Sequence, residues 1–302
     1  MKTGFHVREP YKSIFFDSVN TTPCIGSERP HRFMRKMWTN TGMVCSISGL
    51  GHDENGLERK NPVIVALGDS VTAGHFEYLL TTDYPYMKKI KKEIDRCTAD
   101  PDNYLKKTDE PYPSRIPAVE IYDSRESYIE KFREKLVDKY ELSSVSVINA
   151  GIAGDTLIGM DNRLERDVIQ HQPDLVLING SLNWDLKLGT VKRYKELLRG
   201  MVQKIKAGTD ADTILLTPNG DLPNTMFGAV NPPETTTCER VKAIRELSGE
   251  ENVCLADVYA VWEKAREKGC PWAELLANGI NHPAVEGHEV YAMVLMKLFE
   301  QQ

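Results

Sequence analysis

The stretch Val63-Ile64-Val65-Ala66-Leu67-Gly68-Asp69-Ser70-Val71-Thr72-Ala73-Gly74 decides how the rest of the chain is read. Five consecutive apolar residues closed by a glycine have the length and composition of a strand covered on both faces. The Gly-Asp-Ser that follows is turn and helix-cap chemistry, so this strand is expected to pass directly into a helix. Four later runs repeat the apolar half of the pattern: Val145-Ser146-Val147-Ile148, Leu175-Val176-Leu177-Ile178, Thr213-Ile214-Leu215-Leu216 and Val253-Cys254-Leu255-Ala256. Between and after them, apolar residues recur at helical spacing, as in Ile129, Phe132, Leu136, then Leu157, Met160, Leu164, Val168, then Val191, Tyr194, Leu198, Met201, Ile205, and last Val290, Tyr291, Val294, Leu295, Leu298. Steps of three and four place each set on one stripe of a helix. Buried strands alternating with amphipathic helices predict an α/β fold, with a doubly wound five-stranded parallel sheet, helices on both faces and right-handed crossovers.

Two regions fall outside that rhythm. Residues 1–60 are polar, rich in Gly, Thr, Ser and Asn, and are expected to form an extension of short strands and loops packed on the main domain of 61–302. Within it, Met43 to Ser48 alternates weakly, and Gly49 to Gly56 is loop chemistry. The second region is an insertion at about 77–126, which contains Tyr78, Tyr84, Tyr86, Tyr104, Tyr112 and Tyr122. It far exceeds the usual strand-to-helix loop of about two to six residues and is expected to cover part of the site. Substrate choice is expected to be decided in these two surplus regions.

In a doubly wound sheet, ligands bind beyond the carboxyl ends of the strands. Four such points carry chemistry: Ser70 after the first strand, Gly151 in Asn149-Ala150-Gly151-Ile152-Ala153-Gly154-Asp155 after the second, Asn183 after the third, and His282 ahead of the last helix. Acyl transfer needs a nucleophile, a base and donors for the oxyanion. Ser70 at a strand-to-helix turn suits the first role, and His282, followed by Pro283, suits the second. The N–H groups of Ser70 and Gly151 and the side-chain amide of Asn183 suit the third. His75 is a candidate pocket residue, His288 is read as a bystander, and Asp155 and Asp257 are read as helix caps.

With this ordered set, the sequence resembles the SGNH hydrolases, also called GDSL-type esterases and lipases. The resemblance runs over roughly 61–302, with Ser70 matching the nucleophile of the first block, Gly151 the glycine of the second, Asn183 the asparagine of the third and His282 the histidine of the fifth. It implies the flavodoxin-like three-layer form of the α/β fold and a serine acyl-enzyme mechanism. Two positions depart from the family pattern. Gly180 stands three residues before Asn183 and Trp184 follows it, where the family usually has Gly-x-Asn-Asp; Gly279 stands three residues before His282, where the family usually has Asp. Asn179 is the second choice for the oxyanion asparagine; either Asn278 or a backbone carbonyl orients the imidazole, giving a Ser-His dyad, or the acid comes from elsewhere in the chain.

Composition excludes several other classes. The 302 residues carry 38 Lys+Arg against 44 Asp+Glu, a net charge of −6, and are 41% hydrophobic and 27% charged, which is the balance of a globular domain. No apolar run approaches the roughly 18 residues of a membrane span. The first residues, Met1 to His6, lack an apolar segment behind them, and the six cysteines include no C-x-x-C pair, so a cytoplasmic protein with reduced thiols is expected. Without a long basic run, nucleic acid is not an expected partner. The reading is a serine ester hydrolase that needs no metal or organic cofactor and acts on short-chain or carbohydrate O-acyl (acetyl) esters. A homo-oligomer is compatible with it. Two alternatives stand beside it: a thioesterase or lysophospholipase with the same machinery, and a catalytically silent module that binds an acylated glycan.

Overall fold

The computed structural model describes residues 7, 9–24, 26, 28–41, 61–78, 119–140, 144–221, 237–277 and 281–300. In chain order the strands are β1 (Val63–Gly68), β2 (His75–Tyr78), β3 (Val119–Tyr122), β4 (Ser146–Gly151), β5 (Leu175–Asn179), β6 (Asp212–Leu216) and β7 (Cys254–Ala256). The helices are α1 (Tyr11–Thr21), α2 (His31–Thr41), α3 (Ser70–Ala73), α4 (Tyr128–Lys139), α5 (Leu157–Asn162), α6 (Leu164–Asp167), α7 (Val191–Gly208), α8 (Thr237–Glu250), α9 (Val258–Glu267), α10 (Trp272–Leu275) and α11 (Val285–Lys297).

Five strands form one parallel sheet in the order β4-β1-β5-β6-β7. The sheet is the doubly wound arrangement expected from the alternation of apolar runs, in the flavodoxin-like form that the resemblance implies, and its strand order reverses beside β1. Its central strands are apolar on both faces because both are covered. One layer gathers Phe132, Leu136, Tyr291, Leu295 and Trp262 against Ile64, Ala66 and Leu177; the other gathers Met160, Leu164, Leu198, Met201 and Ile205 against Val65, Leu67 and Val176. Among the described residues no helix is long and apolar enough to cross a membrane.

The described part of residues 1–60 corrects one expectation. It is helical, not short strands and loops, and the reason is visible at four-residue spacing: Phe15 and Val19 on α1, and Phe33 and Met37 on α2, are all fully buried. Phe15 meets the Trp262 ring edge-on at 5.2 Å, and Phe33 meets Phe299 at 6.0 Å. Helix α2 docks at the amino ends of the strands, with Phe33 N–H donating to Asp212 Oδ2 at 2.9 Å and Lys36 paired to Asp174. It therefore lies at the sheet edge opposite the candidate site. Ahead of α1, Val7 N–H donates to Glu286 Oε2 at 3.1 Å, on the first turn of α11. Met43–Ser48 and Gly49–Gly56 lie outside the described residues, as does the body of the insertion at 77–126 with most of its tyrosines. The insertion's two ends pair as an antiparallel ribbon, β2 with β3, in the register His75 to Tyr122.

Candidate active site

Ser70 opens α3 at the carboxyl end of β1. The strand passes into the helix almost without a loop, because Asp69 Oδ1 accepts the Val71 N–H at 3.0 Å and caps the first turn. Two glycines paired across the sheet, Gly68 and Gly151, let that turn lie on the strands. A Cβ on Gly68 would stand 2.0 Å from Thr72 Oγ1, and one on Gly151 would stand 2.2 Å from Ala73 N. Ser70 is thereby held almost buried, at 6% exposure.

His282 arrives from the other end of the chain. It precedes α11 in a segment pinned by an antiparallel bridge between Leu276 and Pro283, in which Ala277 N–H donates to His282 O at 2.9 Å. Its Nε2 lies 2.9 Å from Ser70 Oγ. That is hydrogen-bond reach for a base taking the proton of a nucleophile. His75, at the start of β2, stands edge-on to His282 with ring centroids 5.9 Å apart, so the expected pocket histidine is brought to the pair. Asn278 and Gly279 lie outside the described residues.

The carboxyl of Asp69 is fully buried beside the nucleophile. Burial pushes it up to about 6, against the smaller opposing influence of the Val71 N–H and of His282. His288 is also buried; its Nδ1 accepts the Tyr128 N–H at 3.2 Å, and desolvation, reinforced by the Lys131 charge, pulls it down to about 3. It packs against the start of α4 and makes no contact with Ser70 among those seen.

The second block departs from expectation. Gly151 does not offer its N–H to the site, because that group donates to Asn149 Oδ1 at 3.0 Å, while Asn149 Nδ2 donates to Thr72 O at 2.9 Å. Gly151 belongs to β4 and serves close packing. Three residues on, Gly154 has φ +71, in the left-handed region, with open space where a side chain would stand. Among the described residues its N–H makes no backbone hydrogen bond. Asn183 comes to this same turn, its Nδ2 donating to Asp155 O at 3.0 Å. One proton of that amide remains for another acceptor. Asn179, the second choice, is fully buried at the end of β5 and is not exposed to substrate.

Two buried arginines that sequence reasoning missed hold these turns. Arg163 donates from Nε to Asp155 Oδ2 at 2.8 Å, from Nη1 to Ala150 O at 2.7 Å and from Nη2 to Gly68 O at 3.0 Å. Asp155 is thus an ion-pair partner, and Thr156, not Asp155, caps α5. Asp257 does cap α9 and also pairs with Arg245. Arg240, at 2% exposure, donates from Nε to Ser181 O at 2.6 Å and from Nη1 to Trp184 O at 3.4 Å, gripping the chain on either side of Asn183. Trp184, which stands where the family usually has Asp, is a core residue: its Nε1 donates to Gly189 O at 2.9 Å and its ring meets Tyr194.

Comparison with known proteins places the chain in a family. The model of the GDSL-like Lipase/Acylhydrolase family matches residues 108–290, more than half of the chain. That span holds Gly154, Asn183 and His282, and Ser70 lies upstream of it. An acetylxylan esterase of Geobacillus stearothermophilus is 27% identical over 168 residues, covering 52% of this chain and 74% of that protein. Among solved structures, an acetylxylan esterase from the same organism superposes with a TM-score of 0.54 at 21% identity, over 80% of this chain and 95% of that one. A lipase/acylhydrolase from Enterococcus faecalis superposes with a TM-score of 0.52 at 22% identity, over 78% and 94%. At those identities the superpositions speak for the fold, while the family match shows the family: the chain belongs to the GDSL-like lipase/acylhydrolase family of SGNH hydrolases and is a serine ester hydrolase.

Proposed function

We propose that the chain hydrolyses short-chain or carbohydrate O-acyl esters through a Ser70–His282 acyl-enzyme mechanism. The single observation that carries it is the 2.9 Å contact between Ser70 Oγ and His282 Nε2. His282 Nε2 takes the hydroxyl proton as Ser70 Oγ attacks the acyl carbon. The tetrahedral oxyanion is held by the N–H groups of Ser70 and Gly154 and by the free proton of the Asn183 amide. Gly154 takes the role expected of Gly151, whose N–H is spent on Asn149. Collapse expels the alcohol, which receives the proton from His282. Water then repeats the sequence on the acyl-serine and releases the acid. Donors fixed before the reaction need no reorganisation as charge develops, and the two arginine clamps supply that rigidity.

Acetyl esters of carbohydrates are favoured by the curated relative, itself an acetylxylan esterase. A second reading, a thioesterase or lysophospholipase, is favoured by Ile152 and Leu186. These large apolar side chains are 45% and 50% exposed, and they lie on the turns after β4 and β5 that also carry Gly154 and Asn183. Activity across nitrophenyl esters of increasing chain length separates the two readings. The mechanism itself is tested with a fluorophosphonate probe: wild-type protein labels and Ser70→Ala does not. Wild-type protein that stays unlabelled would sink it and favour the silent acyl-glycan-binding alternative.

A further inference from the structure

His282 stands in the segment ahead of α11, and a side chain from the loop after β6 grips that segment. Asn219 lies three residues beyond β6 and is fully buried. Its Nδ2 donates to Asn281 O, the carbonyl of the residue before His282, at 2.8 Å. The other proton of the same amide goes to Gly220 O at 2.8 Å. Asn219 is itself locked by the Tyr291 hydroxyl, which accepts the Asn219 N–H at 2.7 Å and donates to Asn219 Oδ1 at 3.1 Å. Every polar atom of the Asn219 side chain is thus committed, and its rotamer has no alternative of equal bonding.

The chain of contacts continues to the nucleophile. Tyr291 stacks on Tyr128 with ring centroids 5.0 Å apart, and the Tyr128 hydroxyl meets Thr72 Oγ1 at 2.9 Å, two residues after Ser70. The turn that carries the nucleophile and the connection that carries the base therefore share one buried support, although 212 residues separate them. The position three before His282 is a glycine, so no side-chain carboxylate acts from there. Among the described residues, two backbone carbonyls of this segment are held: Ala277 N–H holds that of His282, and Asn219 holds that of Asn281. Turning the 281–282 peptide swings the Cα–Cβ bond of His282, and a displacement of about 1 Å between reacting groups costs about 100-fold in rate.

We propose that Asn219, locked by Tyr291, is the positioning residue that aims the His282 imidazole at Ser70. The inference rests on the Ser70–His282 reading. Its test compares Asn219→Asp and Tyr291→Phe with wild type, by ester hydrolysis, by rate of fluorophosphonate labelling and by melting temperature. Aspartate keeps the shape but, when ionised, cannot donate to Asn281 O; when protonated, it can. The ratio of Asn219→Asp activity to wild-type activity is therefore expected to rise as pH falls.

At pH 8, Asn219→Asp and Tyr291→Phe each lower kcat and the labelling rate about 10-fold or more, with KM within about twofold, the scale of one lost positioning hydrogen bond. Tyr291→Phe retains the ring that stacks on Tyr128 and tests the proposal if the aspartate variant does not fold. A folded Tyr291→Phe that labels at the wild-type rate, or an Asn219→Asp ratio that does not change with pH, overturns it. If wild-type protein itself fails to label, the Ser70–His282 reading has failed instead.

Discussion

Ser70 Oγ and His282 Nε2 stand 2.9 Å apart on side chains that are each only 6% exposed. Neither is aimed by its own sequence neighbours alone. Ser70 depends on Gly68 and Gly151 to seat its turn, and His282 on the bridge to Leu276. If the two act as a unit, removing one leaves little for the other to do. Ser70→Ala and His282→Gln are each expected to lower kcat about 10⁴-fold or more, and the double variant to fall little further. Steady-state kinetics on a short-chain nitrophenyl ester measure this. Losses that multiply would show two independent contributions.

The fold was legible because the parallel sheet is buried on both faces, so its strands read as unbroken apolar runs such as Leu175 to Ile178. The nucleophile and base were legible because strand ends and helix starts carry punctuation, Gly68-Asp69 before Ser70 and Pro283 after His282. Gly151 and Gly154 were harder to separate. One ends β4 and the other lies in the turn three residues on, and only the direction of an N–H decides between them, which depends on where Asn149 points. The supporting groups, Arg163, Arg240 and Asn219, were illegible because each reaches backbone carbonyls distant in sequence, which leave no mark in side-chain pattern. Helices α1 and α2 were missed because each buries only a narrow stripe of two or three residues among polar ones.

The exchange of Gly151 for Gly154 is decided by two substitutions. Gly151→Ala forces a methyl to within 2.2 Å of Ala73 N and is expected to lower the melting temperature sharply. Gly154→Ala meets open space but strains a residue at φ +71, at a cost of about 1–2 kcal/mol. Alanine keeps the N–H of residue 154 and acts only by re-aiming a strained peptide, so kcat is expected to fall about 10-fold with a modest change in melting temperature. Asn183→Ala removes an oxyanion donor outright and is expected to lower kcat about 100-fold. An Asn183→Ala protein with unchanged kcat would contradict this oxyanion assignment.

Stability on the acid side is set in part by His288. Its folded-state value, about 3, lies below the ordinary value of 6.5, so the unfolded chain takes up the proton first. The contribution is fully present above about pH 6.5 and is lost as pH falls from there towards 3. His288→Asn keeps an acceptor for the Tyr128 N–H and removes the titrating group. Its melting temperature is expected to fall less steeply than that of wild type between pH 6.5 and 4.5. Parallel curves for the two proteins would contradict this.

Asp69 titrates with the opposite sign. Its folded value of about 6 lies above the usual 3.8, so its favourable contribution is present below about pH 3.8 and is lost as pH rises through 6. Above that, an ionised carboxylate is carried in a buried site at a cost of about 3 kcal/mol. Asp69→Asn preserves the acceptor for the Val71 N–H and is expected to raise the melting temperature at pH 8, with the gain shrinking towards pH 4. The same change removes a negative charge felt by His282, which favours the imidazolium formed during proton transfer, so kcat falls. Greater stability with lower activity is the combined outcome that denaturation and kinetics at pH 8 should return.

The N-terminal helices give the remaining prediction. Phe15 is fully buried against Trp262, and α1 is tied to the far side of the fold by Lys264 Nζ donating to Thr21 O at 2.6 Å. Trp262 in turn packs against Trp272, the first residue of α10, which leads into the connection carrying His282. Phe15→Ala is expected to cost about 3–5 kcal/mol, the range for emptying an aromatic site in a core. Because α1 contributes no group to the Ser70–His282 pair, kcat measured well below the melting temperature should stay within about twofold of wild type, as for a residue without a transition-state contact. A large fall in kcat with melting temperature preserved would show that the extension acts on the site itself and not through the stability of the core beneath it.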